Sequence, residues 1–221
     1  LADDGEKLCS WPGTKKHIYE DGWLTQFFDL LKENSSWLKT ITYREYTVLE
    51  PPKGLVYLPA GSYREMQEWS KGFWRNFFVR YPESNHLHKK MLYVRQKVRD
   101  ISEEPEQKKA YNLVLESQCN DVYWHGVFGG LYLNFLRSAN YASLIEAETI
   151  ADKKRFGSAP YLHVEKFDFN YDGREEVMVN TEKMSLVFYP YRGGSLVEFS
   201  YKPKKINLGD TLTRRKEEYH H

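Results

Sequence analysis

Two cysteines in 221 residues, Cys9 and Cys119, give this chain neither a disulfide framework nor the spacing of metal ligands. Their scarcity points to a reducing compartment, so a cytoplasmic location is expected. Net charge is lacking as well, because 32 basic residues against 31 acidic ones leave only +1. Such a balance supplies no extended field to draw in a nucleic acid or an anionic membrane. No apolar run reaches membrane length, and no internal repeat or low-complexity segment is present. Neither a nucleic acid nor a membrane is therefore expected as a partner. What the chain does have is 41% hydrophobic and 16% aromatic residues, enough for a sizeable core. Six Trp and seventeen Tyr exceed what a compact core needs, and rings left exposed stack well on the apolar faces of sugars or bases.

Patterning divides the chain into residues 1–60, 61–156 and 157–221. In the first stretch, Trp23-Leu24, Phe27-Phe28 and Leu30-Leu31 recur at helical spacing behind a break at Gly22. Residues 40–46 are rich in strand formers, Pro51-Pro52 forces extended backbone, and residues 54–59 read as a buried strand or connector. This order predicts the end of an α/β domain. In the second stretch, Leu87, Met91, Val94, Val98 and Ile101 paint one face of a helix. Two more helices are predicted over 106–118, with Pro105 at its start, and over 131–151, making a small helical bundle. The third stretch alternates apolar and polar residues over 176–180, 184–189 and 196–201, with Gly193-Gly194 as a hairpin turn. It reads as the first strands of an all-β sandwich.

Three groups of residues could carry chemistry. The chain opens on Asp3-Asp4-Gly5-Glu6, with Leu1 in first position, which leads us to expect a part of a larger protein. On an extended strand Asp4 and Glu6 share a face while Asp3 points away. Two carboxylates held close can divide the work, one donating a proton and the other staying ionised. The same run also suits a solvated turn or helix cap. Trp11, in a rigid Trp-Pro-Gly setting, adds a flat apolar face beside them.

The second group lies in residues 119–130, where Asp121, Trp124, His125 and Phe128 would form one stripe on a helix. Asp121 and His125 could bond the hydroxyls of a ligand while Trp124 stacks on its ring. Alternatively, Asp121 and His125 satisfy each other in a buried patch. No second His or Cys lies at ligand spacing from His125, which argues against a metal there. The third group, Asp168, Asn170, Asp172, Gly173 and Glu176, follows Asp-x-Asn-x-Asp-Gly-x-x-Glu. It could cage a structural calcium, or it could be a solvated turn between strands. Val179 stands at the place of an EF-hand's bidentate Glu, so any site would be of a different loop type.

The first two groups resemble conserved regions of glycoside hydrolase family 57, in its 4-α-glucanotransferase and α-amylase branch. Asp-Asp-Gly-Glu-Lys with Trp-Pro-Gly-Thr and Gly22-Trp23-Leu24 is similar to the family's fourth region. Asn120-Asp121 through Tyr123-Trp124-His125-Gly126 and Phe128 to Leu133 is similar to the fifth. The tail, Asn207-Leu208, residues 210–215 and Tyr219-His220, resembles the connection into the family's C-terminal β domain. The resemblance implies a retaining enzyme acting on α-1,4-glucans and maltooligosaccharides, with no cofactor needed for catalysis. It implies the end of an incomplete (β/α) barrel, then a helical bundle, then the start of a β-sandwich. Asp4 would be the general acid/base, and Glu6, Trp11, Asp121, Trp124 and His125 would line sugar subsites. The nucleophile would be a Glu on an earlier barrel strand, in the same polypeptide or brought by a partner. A retaining pair must flank the bond at roughly 5 Å, so these residues alone are not expected to turn over substrate. A non-catalytic glucan-binding or scaffold protein is the alternative. Leu8-Cys9 replaces the family's usual Phe-Gly and Asn134-Phe135 its Pro-His, the first within the site loop.

Overall fold

A computed structural model describes residues 5–59, 61, 63–102 and 104–220. The chain divides into two units, Leu1–Pro59 and Ala60–His221, each considered by itself.

In the first unit the helix predicted behind Gly22 is present as α1, Trp23–Glu33, with Gly22 as its left-handed N-cap at φ 77°. Trp23 and Phe27 stack one turn apart, with centroids 5.4 Å apart and planes 4° apart. Residues 40–46, expected as strand, instead lead into helix α2, Tyr43–Leu49. The reason is a capping box: Glu45 N–H donates to Thr42 Oγ1 at 3.2 Å and Thr42 N–H donates to Glu45 Oε2 at 2.7 Å. Two satisfied backbone donors outweigh the strand preference of the Thr and Tyr side chains. Residues 54–59 form no strand, and Leu55, Val56, Tyr57 and Leu58 are all exposed. Among the described residues of this unit there is no β-strand, so the expected strand–helix–strand order is not what they form.

The second unit begins with short helices α3, Arg64–Ser70, and α4, Asn76–Arg80, followed by α5, Pro82–Arg99, α6, Glu104–Glu116, and α7, Asn134–Phe156. Pro82 opens α5 where its missing N–H costs nothing. Leu87, Met91, Val94 and Val98 of α5 pack with Ala110 and Val114 of α6 and with Leu144, Ile145, Ala147 and Ala151 of α7. The helical face read from sequence is thus the core face. Helix α7 begins three residues later than expected because Gly130–Tyr132 form a 3-10 turn.

Strands β1, Leu162–Phe167, β2, Glu176–Thr181, β3, Met184–Tyr189, β4, Ser195–Tyr201, and β5, Ile206–Asn207, make a five-stranded sheet in sequence order. All neighbours are antiparallel, and Gly193 and Gly194 turn β3 into β4 at φ 67° and 71°. A second sheet that would make a sandwich is not among the described residues.

The sheet's buried face is mixed. Met178, Val187 and Tyr189 form an apolar cluster there with Phe169, while Glu176, Asn180, Ser185, Glu198 and Ser200 are buried on the same face. Charges join this face to the helices. Lys90 Nζ donates to Glu148 Oε2 at 2.6 Å and Ser185 Oγ at 3.2 Å, and lies 2.9 Å from Glu198 Oε1. His86 Nε2 lies 2.8 Å from Glu198 Oε2. Lys97 pairs with Glu148 and Asp152, and Lys202 Nζ donates to Asp152 Oδ2 at 2.7 Å.

Candidate active site

In the first unit Glu6 lies in a 3-10 turn, Gly5–Leu8, and is exposed. It is therefore not on the extended strand expected to align it with Asp4, and Asp4 itself lies outside the described residues. Trp11 is 50% exposed, and its carbonyl accepts from Thr14 N–H at 3.1 Å and Thr14 Oγ1 at 2.7 Å. The ring is thus offered from a closed turn, whose Gly13 sits at φ 80°.

In the second unit residues 119–133 do not form the expected helix. Asn120–Val122 and Gly130–Tyr132 are single 3-10 turns, and the loop between them is closed by Leu131 N–H donating to the Trp124 carbonyl at 2.8 Å. Gly129 and Gly130, at φ 102° and 55°, hold left-handed backbone that no helix uses. The stripe of Asp121, Trp124, His125 and Phe128 is accordingly broken up. Asp121 and Phe128 are exposed, and Trp124 is half-buried. Trp124 Nε1–H donates to Asn120 Oδ1 at 2.7 Å, and its ring stacks on Trp69 of α3 with centroids 6.0 Å apart and planes 6° apart. One indole thus serves as backing for the other.

His125 faces the opposite way and is wholly buried. Asp121 is not its hydrogen-bond partner. Its Nδ1 lies 2.9 Å from Tyr219 Oη and its Nε2 2.6 Å from Tyr81 Oη, with Glu217 Oε2 3.5 Å away. Burial lowers the imidazole to about 4, against the opposing pull of Glu217. Tyr81 and Tyr132 both donate to Glu217 Oε1. None of Trp69, Tyr81, Tyr132 or Glu217 stood out in the sequence, since no local spacing links residues so far apart.

Gly126 is a glycine for space. A Cβ there would stand 2.5 Å from Trp69 Cζ3 and 2.7 Å from Cε3. Gly126→Ala is expected to push Trp69 off Trp124 and to cost about 1–3 kcal/mol, the usual penalty of overpacking. Denaturant unfolding followed by tryptophan fluorescence checks this.

The candidate calcium loop closes on itself. Asp168 accepts from the N–H groups of Asp172 at 3.0 Å and Gly173 at 2.9 Å, and Asp172 from Arg174 N–H at 3.0 Å. Glu176 is buried and accepts from Phe169 N–H at 2.7 Å and Asn170 Nδ2 at 2.8 Å. The oxygens of Asp168, Asp172 and Glu176 thus accept hydrogen bonds within the turn, whereas Asn170 Oδ1 is buried without one. Among the described residues no group of three or more His, Cys, Asp or Glu side chains is placed to hold a metal.

A cavity of about 400 Å³ lies between α5, β4 and residues 209–215, but neither Asp121 nor Trp124 lines it. Two guanidiniums on its wall are already paired, Arg137 with Asp210 at 2.7 Å and Arg215 with Glu83 at 3.2 Å. Among the described residues no helix is long and apolar enough to cross a membrane.

Residues 1–59 match glycosyl hydrolase family 57, residues 72–151 the middle domain of α-amylase/4-α-glucanotransferase, and residues 168–221 its C-terminal domain. The chain belongs to glycoside hydrolase family 57. It is 41% identical to alpha-amylase 1 of Dictyoglomus thermophilum, over 100% of this chain and 36% of that protein. It is also 41% identical to the 4-alpha-glucanotransferase of Thermococcus litoralis, over 99% of this chain and 35% of that protein. The crystal structure of the Thermococcus litoralis enzyme matches with a TM-score of 0.71 at 40% identity, over 99% of this chain and 36% of that one. The chain thus spans little more than a third of the length of these relatives.

Proposed function

We propose that this chain carries the general acid/base and part of the sugar cleft of a retaining α-1,4-glucan-processing enzyme, of the 4-α-glucanotransferase or α-amylase type. The observation that carries the reading is the half-buried Trp124, its ring stacked on Trp69, on a loop that also carries the exposed Asp121. A pyranose offers one apolar face to a ring and a rim of hydroxyls to carboxylates, and this arrangement meets both. Trp11, half-exposed on its closed turn, and the exposed Glu6 add a ring and a carboxylate in the first unit.

In this reading Asp4, kept protonated, donates its proton to the departing glycosidic oxygen. Asp4 then takes a proton from the water or glucan hydroxyl that resolves the covalent intermediate. Water as the acceptor gives an amylase, and a glucan hydroxyl gives a transferase. Glu6 and Asp121 accept from sugar hydroxyls. The nucleophile is a Glu contributed by a barrel strand outside these 221 residues. A carboxylate as close in sequence as Glu6 cannot replace it, because attack must come from the opposite face of the sugar.

Incubating the intact protein with maltoheptaose tests the reading. Products both longer and shorter than seven units are expected from a transferase, and only shorter ones from a hydrolase. Binding with no new product at any protein concentration would overturn the enzyme reading in favour of a glucan-binding protein.

A further inference from the structure

Residues 214–220 lie beyond the sheet and pack on the helical layer, where Glu217 and Tyr219 reach the residues around the Trp124 loop. Arg215 donates to the Arg80 carbonyl at 2.5 Å and lies over the Tyr81 ring at 4.7 Å. Glu217 is buried and holds the hydroxyls of Tyr81 and Tyr132. Glu217 N–H donates to His220 Nδ1 at 3.0 Å, which keeps the segment folded back on itself. Tyr219 reaches His125 through its hydroxyl and meets Trp69 edge-to-face, with centroids 6.1 Å apart and planes 80° apart.

The protons in this chain can be placed. Ionised Glu217 can only accept, so Tyr81 and Tyr132 donate to it. The Tyr81 oxygen is then left to accept, so His125 carries its proton on Nε2. Its Nδ1 must accept, and Tyr219 O–H is the donor. Four groups are thereby locked in one direction, from Tyr219 through His125 and Tyr81 to Glu217.

We propose that Tyr219 is a positioning residue of the sugar subsite: by holding His125 and the edge of Trp69 together, it sets the plane of Trp124 on which a glucose ring stacks. The identity of the ligand rests on the glucan reading above, whereas the positioning of Trp124 does not. Trp69 backs Trp124, His125 is its chain neighbour, and Tyr219, from a segment far away in sequence, touches both Trp69 and His125.

The test compares Tyr219→Phe, Tyr219→Ala and Glu218→Ala in the intact protein. Glu218 lies on the same segment but pairs only with Lys71, at 2.8 Å and well exposed, and so serves as the control. Two quantities are read: the near-ultraviolet circular dichroism of the stacked Trp69–Trp124 pair, and the Kd for maltoheptaose from tryptophan quenching. Tyr219→Ala is expected to flatten the dichroic band and weaken binding about tenfold, and Tyr219→Phe, which keeps the ring against Trp69, about threefold. In turnover the loss falls on KM more than on kcat, because the tilt of a platform alters binding before chemistry. Glu218→Ala is expected to match wild type. An unchanged band and Kd in Tyr219→Ala, with or without a lower Tm, would overturn the proposal. If the wild-type protein fails to bind maltoheptaose, the glucan reading falls. The dichroic band then decides the positioning on its own, flattened in its favour or unchanged against it.

Discussion

Lys90→Ala is expected to lower the unfolding free energy by about 3–5 kcal/mol, the cost of leaving a buried charge without its partner, out of the roughly 5–15 kcal/mol a domain possesses. Lys90, Glu148 and Glu198 are all fully buried, so no solvent can take over the role of the lost ammonium. Burial would push Lys90 down, but Glu148 and Glu198 outweigh it and hold the ammonium well above its usual range. Burial likewise opposes ionisation of the two carboxyls, yet the neighbouring lysines keep Glu148 far below the carboxylate range, and Lys90 and His86 hold Glu198 at about 2.

The sign of the pH dependence follows. The depressed carboxyls contribute stability that is fully present above their unfolded value, about 4.3, and is lost as pH falls toward the folded one. The raised Lys90 contributes stability that is fully present below about 10.4 and is lost as pH climbs through its folded value. Stability from this network is therefore flat across neutral pH and declines at both ends. Urea unfolding of wild type and Lys90→Ala across pH checks this. A loss under about 1 kcal/mol at pH 7 would mean that the network is not closed as described. Replacing Lys90, Glu148 and Glu198 together by Met, Leu and Leu is expected to cost less than the single change, since Lys97 keeps Asp152 and the remaining loss includes the acceptor of His86 Nε2.

Asp4→Asn in the intact protein is expected to reduce turnover by about 10²–10⁴-fold, the range for losing a general acid/base. Maltoheptaose affinity should stay within about threefold of wild type, because an amide keeps the shape and one acceptor oxygen while losing the transferable proton. Near-normal turnover in the variant would remove Asp4 from the chemistry. The proton of the departing oxygen would then have to come from elsewhere.

What could be read from the sequence was what local spacing controls. The buried face of α5 and the strands around Gly193-Gly194 follow from periods of 3.6 and 2 and were expected where they occur. Residues 40–46 misled because strand propensity was weighed without the capping box at Thr42 and Glu45, a pattern visible in the sequence. Residues 119–130 misled in the opposite direction, since helical spacing was read through Gly126, Gly129 and Gly130. At the site, Trp124 and Asp121 could be found as residue types, but whether each faces solvent could not. His125 shows the limit most clearly: its partners, Tyr81 and Tyr219, come from 44 and 94 residues away. No window on the sequence contains them.

The ions in the inner face of the sheet have a thermal consequence. Opening the seam between β2–β4 and helices α5 and α7 exposes Lys90, Glu148, Glu198 and Asn180 together with Met178 and Val187, where an ordinary seam would expose hydrocarbon alone. Hydrating hydrocarbon raises the heat capacity, whereas exposing polar groups lowers it. Unfolding of this layer should therefore carry a small heat-capacity increment, and its stability curve should be broad and shallow. The hydration lost by those ions on burial also becomes less costly on warming. A seam made this way holds its strength at temperatures where one made of hydrocarbon has passed its optimum.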